Sequence, residues 1–444
     1  MAPVCRAALL IIVLAAPWPA AAQTDWQRCG KSDTAPNDGV AACTAIINSG
    51  AERGENLAIA HFNRANGWLA RREFDRAVAD FSAAIALNPQ NAKAYFNRGN
   101  AFAALGAYER AAADFSAVLR IDPNDGAAYG SRGLAFYEQG DFDRAIVDLD
   151  QAIRRDPASG RALTARGLAW RAKGEFDLAI ADFGRALAID PNDARAHNER
   201  GATLQAAGRP DQALPDFAEA IMLNPKFAAA YVNRGIAQMA RNNLDGAIAD
   251  FDDAIRLDPA EAGALVNRGS ALQLKGDLDR ASADFEQAIR LAPNSAHAHA
   301  GRGNVFLARA DYERATAAYD RAIALMPELA VAYANRARAL RARGELVRAI
   351  ADLDAAIRLM PTDSLTYNSR AWTYQLAGRD AEGLADADKA IELEPNNALA
   401  FDTRGTIQVK LGQREKAIED FRKALSLNPG LKSAEDALAK LGAK

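Results

Sequence analysis

One arginine recurs every 34 residues along this chain, at Arg64, Arg98, Arg132, Arg166, Arg200, Arg234, Arg268, Arg302, Arg336, Arg370 and Arg404, with no residue inserted or deleted between them. A proline ladder of the same period, from Pro89 and Pro123 to Pro429, closes each unit. A unit this short cannot bury an apolar face alone. Strict repetition over eleven units therefore implies a solenoid, in which each unit gains its core by stacking on its neighbours. The usual expectation of several globular domains for 444 residues gives way to one elongated array.

Within residues 92–125 the apolar and small side chains Tyr95, Gly99, Phe102, Ala111, Phe115, Val118 and Leu119 fall at three- and four-residue steps, so both halves of the unit read as amphipathic helices. Gly106-Ala107-Tyr108 supplies a C-cap glycine and a short turn between them, and Pro123 with its flanking Asp and Asn ends the second helix. The unit is a helix hairpin. Small residues at Gly99 and Ala111 allow the axes to approach, and aromatics fill the space beside them.

The series Tyr95, Gly99, Phe102, Ala111, Phe115 and Pro123, echoed by Tyr129, Gly133, Phe136, Ala145, Leu149, Ala152 and Pro157, resembles the tetratricopeptide repeat. The match covers eleven repeats over residues 58–431. It implies an all-α, right-handed superhelical solenoid of helix-turn-helix repeats, with caps over residues 23–57 and 432–444. The chain departs from the common pattern by carrying Arg, in the phase of Arg98, where Leu is frequent.

Residues 1–22, with Arg6, an apolar core and the Ala20-Ala21-Ala22 ending, read as a cleavable secretory signal. Its apolar core of ten residues falls short of the roughly 20 that span a bilayer as a helix, so no membrane insertion is expected after cleavage. A periplasmic or secreted protein follows, in which Cys29 and Cys43 form a disulfide worth on the order of 3 kcal/mol through loop closure. The segment CTAIINSG around Cys43 matches the second half of a repeat and resembles exported bacterial members of the family, so residues 23–57 are expected to be a half-repeat cap.

The arginine travels with an acid. Asp80, Asp114, Asp148, Asp182, Asp216, Asp250, Asp284, Asp352, Asp386 and Asp420 share one phase of the second helix, broken only by Ala318. A ladder of Arg–Asp pairs between first and second helices is expected, within a repeat or across to the next. Two places should be loosely packed: the tenth repeat, with Gly383 and Ala387 where larger residues are usual, and the fifth, where Pro215 removes a backbone donor inside a helix.

The formal net charge is −3, and removal of the first 22 residues, whose only charged side chain is Arg6, leaves −4. With no basic tail, nucleic acid is not an expected partner. His61, His197 and His299 stand in the phase of Tyr95 and read as packing residues, while His297 lies off the spacing of a helical metal pair. No nucleophile elbow, phosphate loop, cysteine cluster or paired buried acid is present, so neither enzyme activity, metal nor cofactor is expected.

What remains is the concave groove. By the resemblance it is lined by first helices at the phases of Lys93, Phe96, Asn97, Asn100, Ala103 and Ala104. Phe62, Asn63 and Asn66 are echoed one period later by Phe96, Asn97 and Asn100. Asn233, Asn267 and Asn335 continue the phase of Asn97, and Asn304 that of Asn100, resembling the asparagine ladder of O-linked N-acetylglucosamine transferases. Asn amides can hold an extended backbone and Phe can anchor a side chain. The groove phases carry seven basic residues (Lys93, Arg161, Arg171, Arg195, Arg338, Arg341, Lys410) against three acidic (Glu138, Glu199, Asp402), densest at Arg338 and Arg341. The expected function is a non-enzymatic protein-interaction scaffold, monomeric or weakly self-associating, that binds an extended, anionic peptide segment or a partner helix. A structural protein whose repeats pack against copies of itself is the alternative.

Overall fold

The computed structural model describes residues 20–443. The body of the expected signal segment, residues 1–19, lies outside them. Among the described residues there are 25 α-helices and no strand. The chain divides into two compact units, residues 1–219 and 220–444, where the sequence reading expects one array. In a solenoid every repeat touches only its neighbours, so compactness is a local property.

In the first unit the second to fourth repeats pair Ala92–Ala104 with Tyr108–Ile121, Gly126–Glu138 with Phe142–Arg155, and Gly160–Ala172 with Phe176–Ile189. The residue two after the closing proline caps the next first helix in most repeats, Phe227 and Leu329 being exceptions: Asn91, Asp125 and Ser159 accept from the backbone N–H of Ala94, Ala128 and Ala162. The second unit repeats the scheme, with Ser295, Asp363 and Asn397 as caps. Between the paired helices one residue takes the left-handed conformation. It is glycine in most repeats, as at Gly106 (φ 72°), but Arg72, Asn242 and Ala310 hold the same phase at φ 61°, 61° and 57°.

In seven of the eleven repeats the core is a glycine pressed on an aromatic. A methyl group at Gly99 would lie 2.8 Å from Phe115 Cε1, and one at Gly235 would lie 2.6 Å from Phe251 Cε1. Phe81, Phe115, Phe183, Phe251, Phe285, Tyr319 and Phe421 are all fully buried in this phase. Repeat ten replaces the couple with Ala371 and Ala387, both also fully buried. The expectation of loose packing at Gly383 is not met: a methyl there would stand 2.9 Å from the carbonyl oxygen of Ala371 and 3.1 Å from Ile407 Cδ1, so the helices have closed on the small residue. Pro215 does not break its helix, which runs Pro210–Leu223.

The expected half-repeat cap contains two helices, Ala20–Cys29 and Pro36–Ser49. Cys29 at the end of the first is bonded to Cys43 in the second, with Cα atoms 4.8 Å apart. The first helix carries none of the repeat's glycine–aromatic pattern, which hid it in the sequence. The cross-link stands on the second helix where later repeats bury an aromatic. At the other end Ala434 and Leu438 of helix Lys432–Lys440 cover Phe401 and Phe421.

The Arg–Asp ladder forms within repeats. In ten of the eleven, arginine Nε and Nη2 clasp the two oxygens of the aspartate 16 residues later, as in Arg98–Asp114, Arg268–Asp284 and Arg336–Asp352. The third nitrogen often reaches back to the preceding repeat: Arg98 to Ser82 at 2.9 Å, Arg336 to Asp320 at 2.6 Å, Arg370 to Asp354 at 2.6 Å. These aspartates are almost fully buried, so the pairs specify register more than they add net stability.

Candidate functional site

Arg338 and Arg341 lie three residues apart on the first helix of repeat nine, Ala330–Ala342. The first helices of repeats ten and eleven, Ser364–Leu376 and Ala398–Lys410, continue the same wall. Together with Ser433 of the terminal helix they enclose a cavity of about 750 Å³. It lies wholly in the second unit.

Three side chains of one phase, Val331, Leu365 and Leu399, form its apolar floor with Trp372 and Met360. Each is about half exposed, at 55%, 55%, 47%, 49% and 43%, so this surface is open to a ligand. Arg341 is held over the Trp372 ring, 4.2 Å from its centroid, and donates to the Ser369 carbonyl at 3.3 Å and to Thr373 Oγ1 at 3.2 Å. It forms no salt bridge with a carboxylate among the described residues, unlike the ladder arginines. Burial, reinforced by the charge of Arg338, pushes its guanidinium down to about 10. Arg338 itself is exposed and donates to Asn335 Oδ1 at 3.4 Å.

The far end of the cavity is built from acceptors. Asp402 Oδ1 and Asn368 Oδ1 are buried without hydrogen-bond partners. Asp402 Oδ2 accepts from Ser433 Oγ at 2.8 Å, yet burial still raises its carboxyl above the ordinary range. The cavity is therefore polarised, with donors on repeat nine and acceptors on repeats ten and eleven.

The other expected groove residues are placed differently. Phe62 and Phe96 are not open anchors: their rings are half-buried and pack on Phe81 and Phe115, with centroids 5.8 Å and 5.5 Å apart. Each bulky ring at this phase leans on its own second helix, although one edge of Phe96 still reaches a cavity of about 450 Å³ in the first unit, and the smaller Asn368 and Asp402 of the same phase line the cavity of the second unit. The asparagines bond to one another, Asn97 Nδ2 to Asn66 Oδ1 at 2.8 Å and Asn335 Nδ2 to Asn304 Oδ1 at 3.0 Å. They tie adjacent first helices and spend part of their capacity doing so. Asn267, Asn304 and Asn335 line a shallower cavity of about 560 Å³. Asn63 and Asn100 are half-buried on their first helices, and Asn233 is likewise engaged.

A uniformly basic groove is not what the side chains form. Arg171 is neutralised by Glu199 at 2.7 Å, and Lys410 donates to the Gln375 carbonyl at 2.9 Å. The histidines do more than pack: His61 and His197 bond to Asp80 and Asp216 at 2.8 Å and 3.1 Å. Among the described residues no group of three His, Cys, Asp or Glu could hold a metal ion, and no helix is long and apolar enough to cross a membrane.

A sequence model described as tetratricopeptide repeat matches residues 62–126, 131–194, 198–262 and 266–330, more than half of the chain, and a second of the same description matches residues 398–431. The fold is similar to that of the APC/C hetero-tetramer Cut9-Hcn1, with a TM-score of 0.53 and 14% identity over 96% of this chain and 95% of that one. Yeast Tom70 is similar at a TM-score of 0.45 and 16% identity over 87% and 95% of the two chains. A tetratricopeptide repeat protein from Parabacteroides merdae is similar at a TM-score of 0.45 and 23% identity over 56% and 98%. No curated protein sequence matches the chain significantly. The repeat period, the helix hairpins it builds and the extent of the sequence match agree, and the chain belongs to the tetratricopeptide repeat family.

Proposed function

We propose that this protein is an exported, non-enzymatic interaction scaffold whose second unit binds an extended peptide segment carrying an acidic side chain next to apolar ones. The observation that carries this reading is Arg341, a guanidinium held against Trp372 with no carboxylate of its own, on the wall of a half-exposed apolar cavity. A buried cation without a counter-charge is costly, and a ligand carboxylate received by Arg341 and Arg338 offsets that cost. The apolar side chains of the ligand then cover Val331, Leu365 and Leu399, and its backbone N–H groups face the acceptors Asp402 and Asn368. Repeat proteins of this family use such concave surfaces for peptides and helices.

Peptides selected from a random library on the wild-type protein test the proposal. Enrichment of Asp or Glu flanked by aliphatic residues is expected, with binding that weakens more than about tenfold in Arg341→Ala and falls with added salt. Selected peptides that lack acids and bind Arg338→Ala and Arg341→Ala as tightly as wild type would overturn it. Signal removal is checked separately, by N-terminal sequencing of the protein recovered from a bacterial periplasm.

A further inference from the structure

Repeats one and five show how this fold shares one carboxylate between two donors. In repeat one, His61 Nδ1 lies 2.8 Å from Asp80 Oδ1 while Arg64 Nε lies 2.7 Å from Oδ2. In repeat five, His197 Nδ1 and Arg200 Nε approach Asp216 at 3.1 Å and 2.8 Å. Repeat eight keeps both donors at the same phases, His299 and Arg302, but has Ala318 where the aspartate should stand. Both donors keep the atoms that serve that carboxylate. His299 Nδ1 and Arg302 Nε are buried and have no hydrogen-bond partner, and His299 is only 6% exposed.

From this juxtaposition we propose that repeat eight binds a small monovalent anion of formate size, seated where the other repeats place an aspartate carboxylate and held by Arg302 Nε and His299 Nδ1. The local charge favours it. The charges acting on His299 are cations, Arg302 on its own helix and Arg321 on the second helix of the repeat. Of the acids on the flanking helices, Asp284 is committed to Arg268, Asp320 to Arg336 and Asp279 to Arg309, while Glu286, sixteen residues before Arg302, accepts from Ser282 Oγ at 3.4 Å and forms no salt bridge among the described residues. A buried donor such as Arg302 Nε left without a partner is destabilising, and an anion bound only by the folded state offsets this. Two donors set to receive one carboxylate suit a planar monoanion, whereas a tetrahedral dianion would leave oxygens unsatisfied.

The proton balance follows from the other ring nitrogen. His299 Nε2 bonds to the Pro293 carbonyl at 3.0 Å, and a carbonyl oxygen only accepts, so Nε2 carries a proton. Nδ1 can then donate only from the imidazolium form, and binding takes up one proton together with the anion. Burial, opposed by the Pro293 contact and assisted by Arg302 and Arg321, holds His299 below its ordinary value. Above that midpoint, formate affinity should rise about tenfold for each unit fall in pH, the signature of one coupled proton.

The test compares the wild-type chain with Ala318→Asp, which supplies the missing carboxylate covalently. Sodium formate is expected to raise the melting temperature of the wild type more than that of the variant. In wild type alone, formate should move the NMR titration midpoint of His299 upward, its signal being identified by its loss in His299→Gln. Equal responses of the two proteins overturn the proposal. So does a wild-type His299 midpoint that is the same in formate as in sulfate at matched ionic strength, a measurement that stands even if Ala318→Asp fails to fold.

Discussion

Arg166 clasps Asp182 through two parallel hydrogen bonds, Nε to Oδ2 at 2.7 Å and Nη2 to Oδ1 at 2.6 Å, and spends its remaining nitrogen on Asp150 of the preceding repeat. The hydrogen bond to Asp182, against the pull of burial, holds its guanidinium above the ordinary value. A double-mutant cycle on stability should therefore find about 2–3 kcal/mol of coupling between Arg166 and Asp182 and a smaller term with Asp150. Coupling to Asp148 should be absent, because that acid belongs to Arg132.

The ladder also sets an acid limit at the first repeat. Burial pushes the Asp80 carboxyl up, but hydrogen bonds from His61 and Arg64 outweigh it and leave the group below its unfolded value of 3.8. A carboxyl lowered by folding contributes stability that is present above the unfolded value and disappears as pH falls through the folded one. Asp80→Asn should cost about 2 kcal/mol at neutral pH, and the gap from wild type should shrink in melts taken below about pH 4.

The glycine–aromatic contact predicts an interaction between two substitutions. Gly235→Ala should destabilise by about 1–3 kcal/mol, because its methyl would press on Phe251. In a Phe251→Ala background most of that cost should vanish, as the native Ala371–Ala387 couple of repeat ten already implies. Chemical denaturation of the four proteins measures it.

At the cavity, stability and binding should trade against each other. Burial depresses the Arg341 guanidinium, so the folded state bears a cost for keeping it charged. Arg341→Met keeps the stem over Trp372 and removes the charge. The unliganded protein should gain about 1 kcal/mol while losing acidic peptides, as read by thermal melts and titration calorimetry.

The repeat architecture was plain in the sequence because every unit restates the same pattern. Which acid each arginine takes was not. Arg166 has Asp148 eighteen residues before it and Asp182 sixteen after, and periodicity treats the two alike. Phe62 and Phe96 were misread for a different reason: their bulky rings lean on Phe81 and Phe115, whereas Asn368 and Asp402 in the same phase do line a groove cavity. Arg338 and Arg341 were legible as a cluster, but the apolar floor beside them was overlooked. Its signal was present, since Val331, Leu365 and Leu399 put bulky aliphatic residues in the phase of Lys93 in three successive repeats, where otherwise only Ile59 does so. The first helix of the N-terminal cap left no such trace because a disulfide replaces the packing pattern there.

Because most of the arginines look forward sixteen residues for their own aspartate and back sixteen for an acceptor on the previous hairpin, most of the array is modular like a text with a fixed line length. Excising residues 126–159 would bring Arg166 to the place of Arg132, facing Ser116, whose hydroxyl already receives Arg132 at 2.9 Å. The joint would heal with a hydrogen bond of the same kind and with no change of register. Array length in this chain is thus free to vary by whole periods. Repeat eight is the exception: a copy of it moved elsewhere would carry along an arginine and a histidine without their carboxylate.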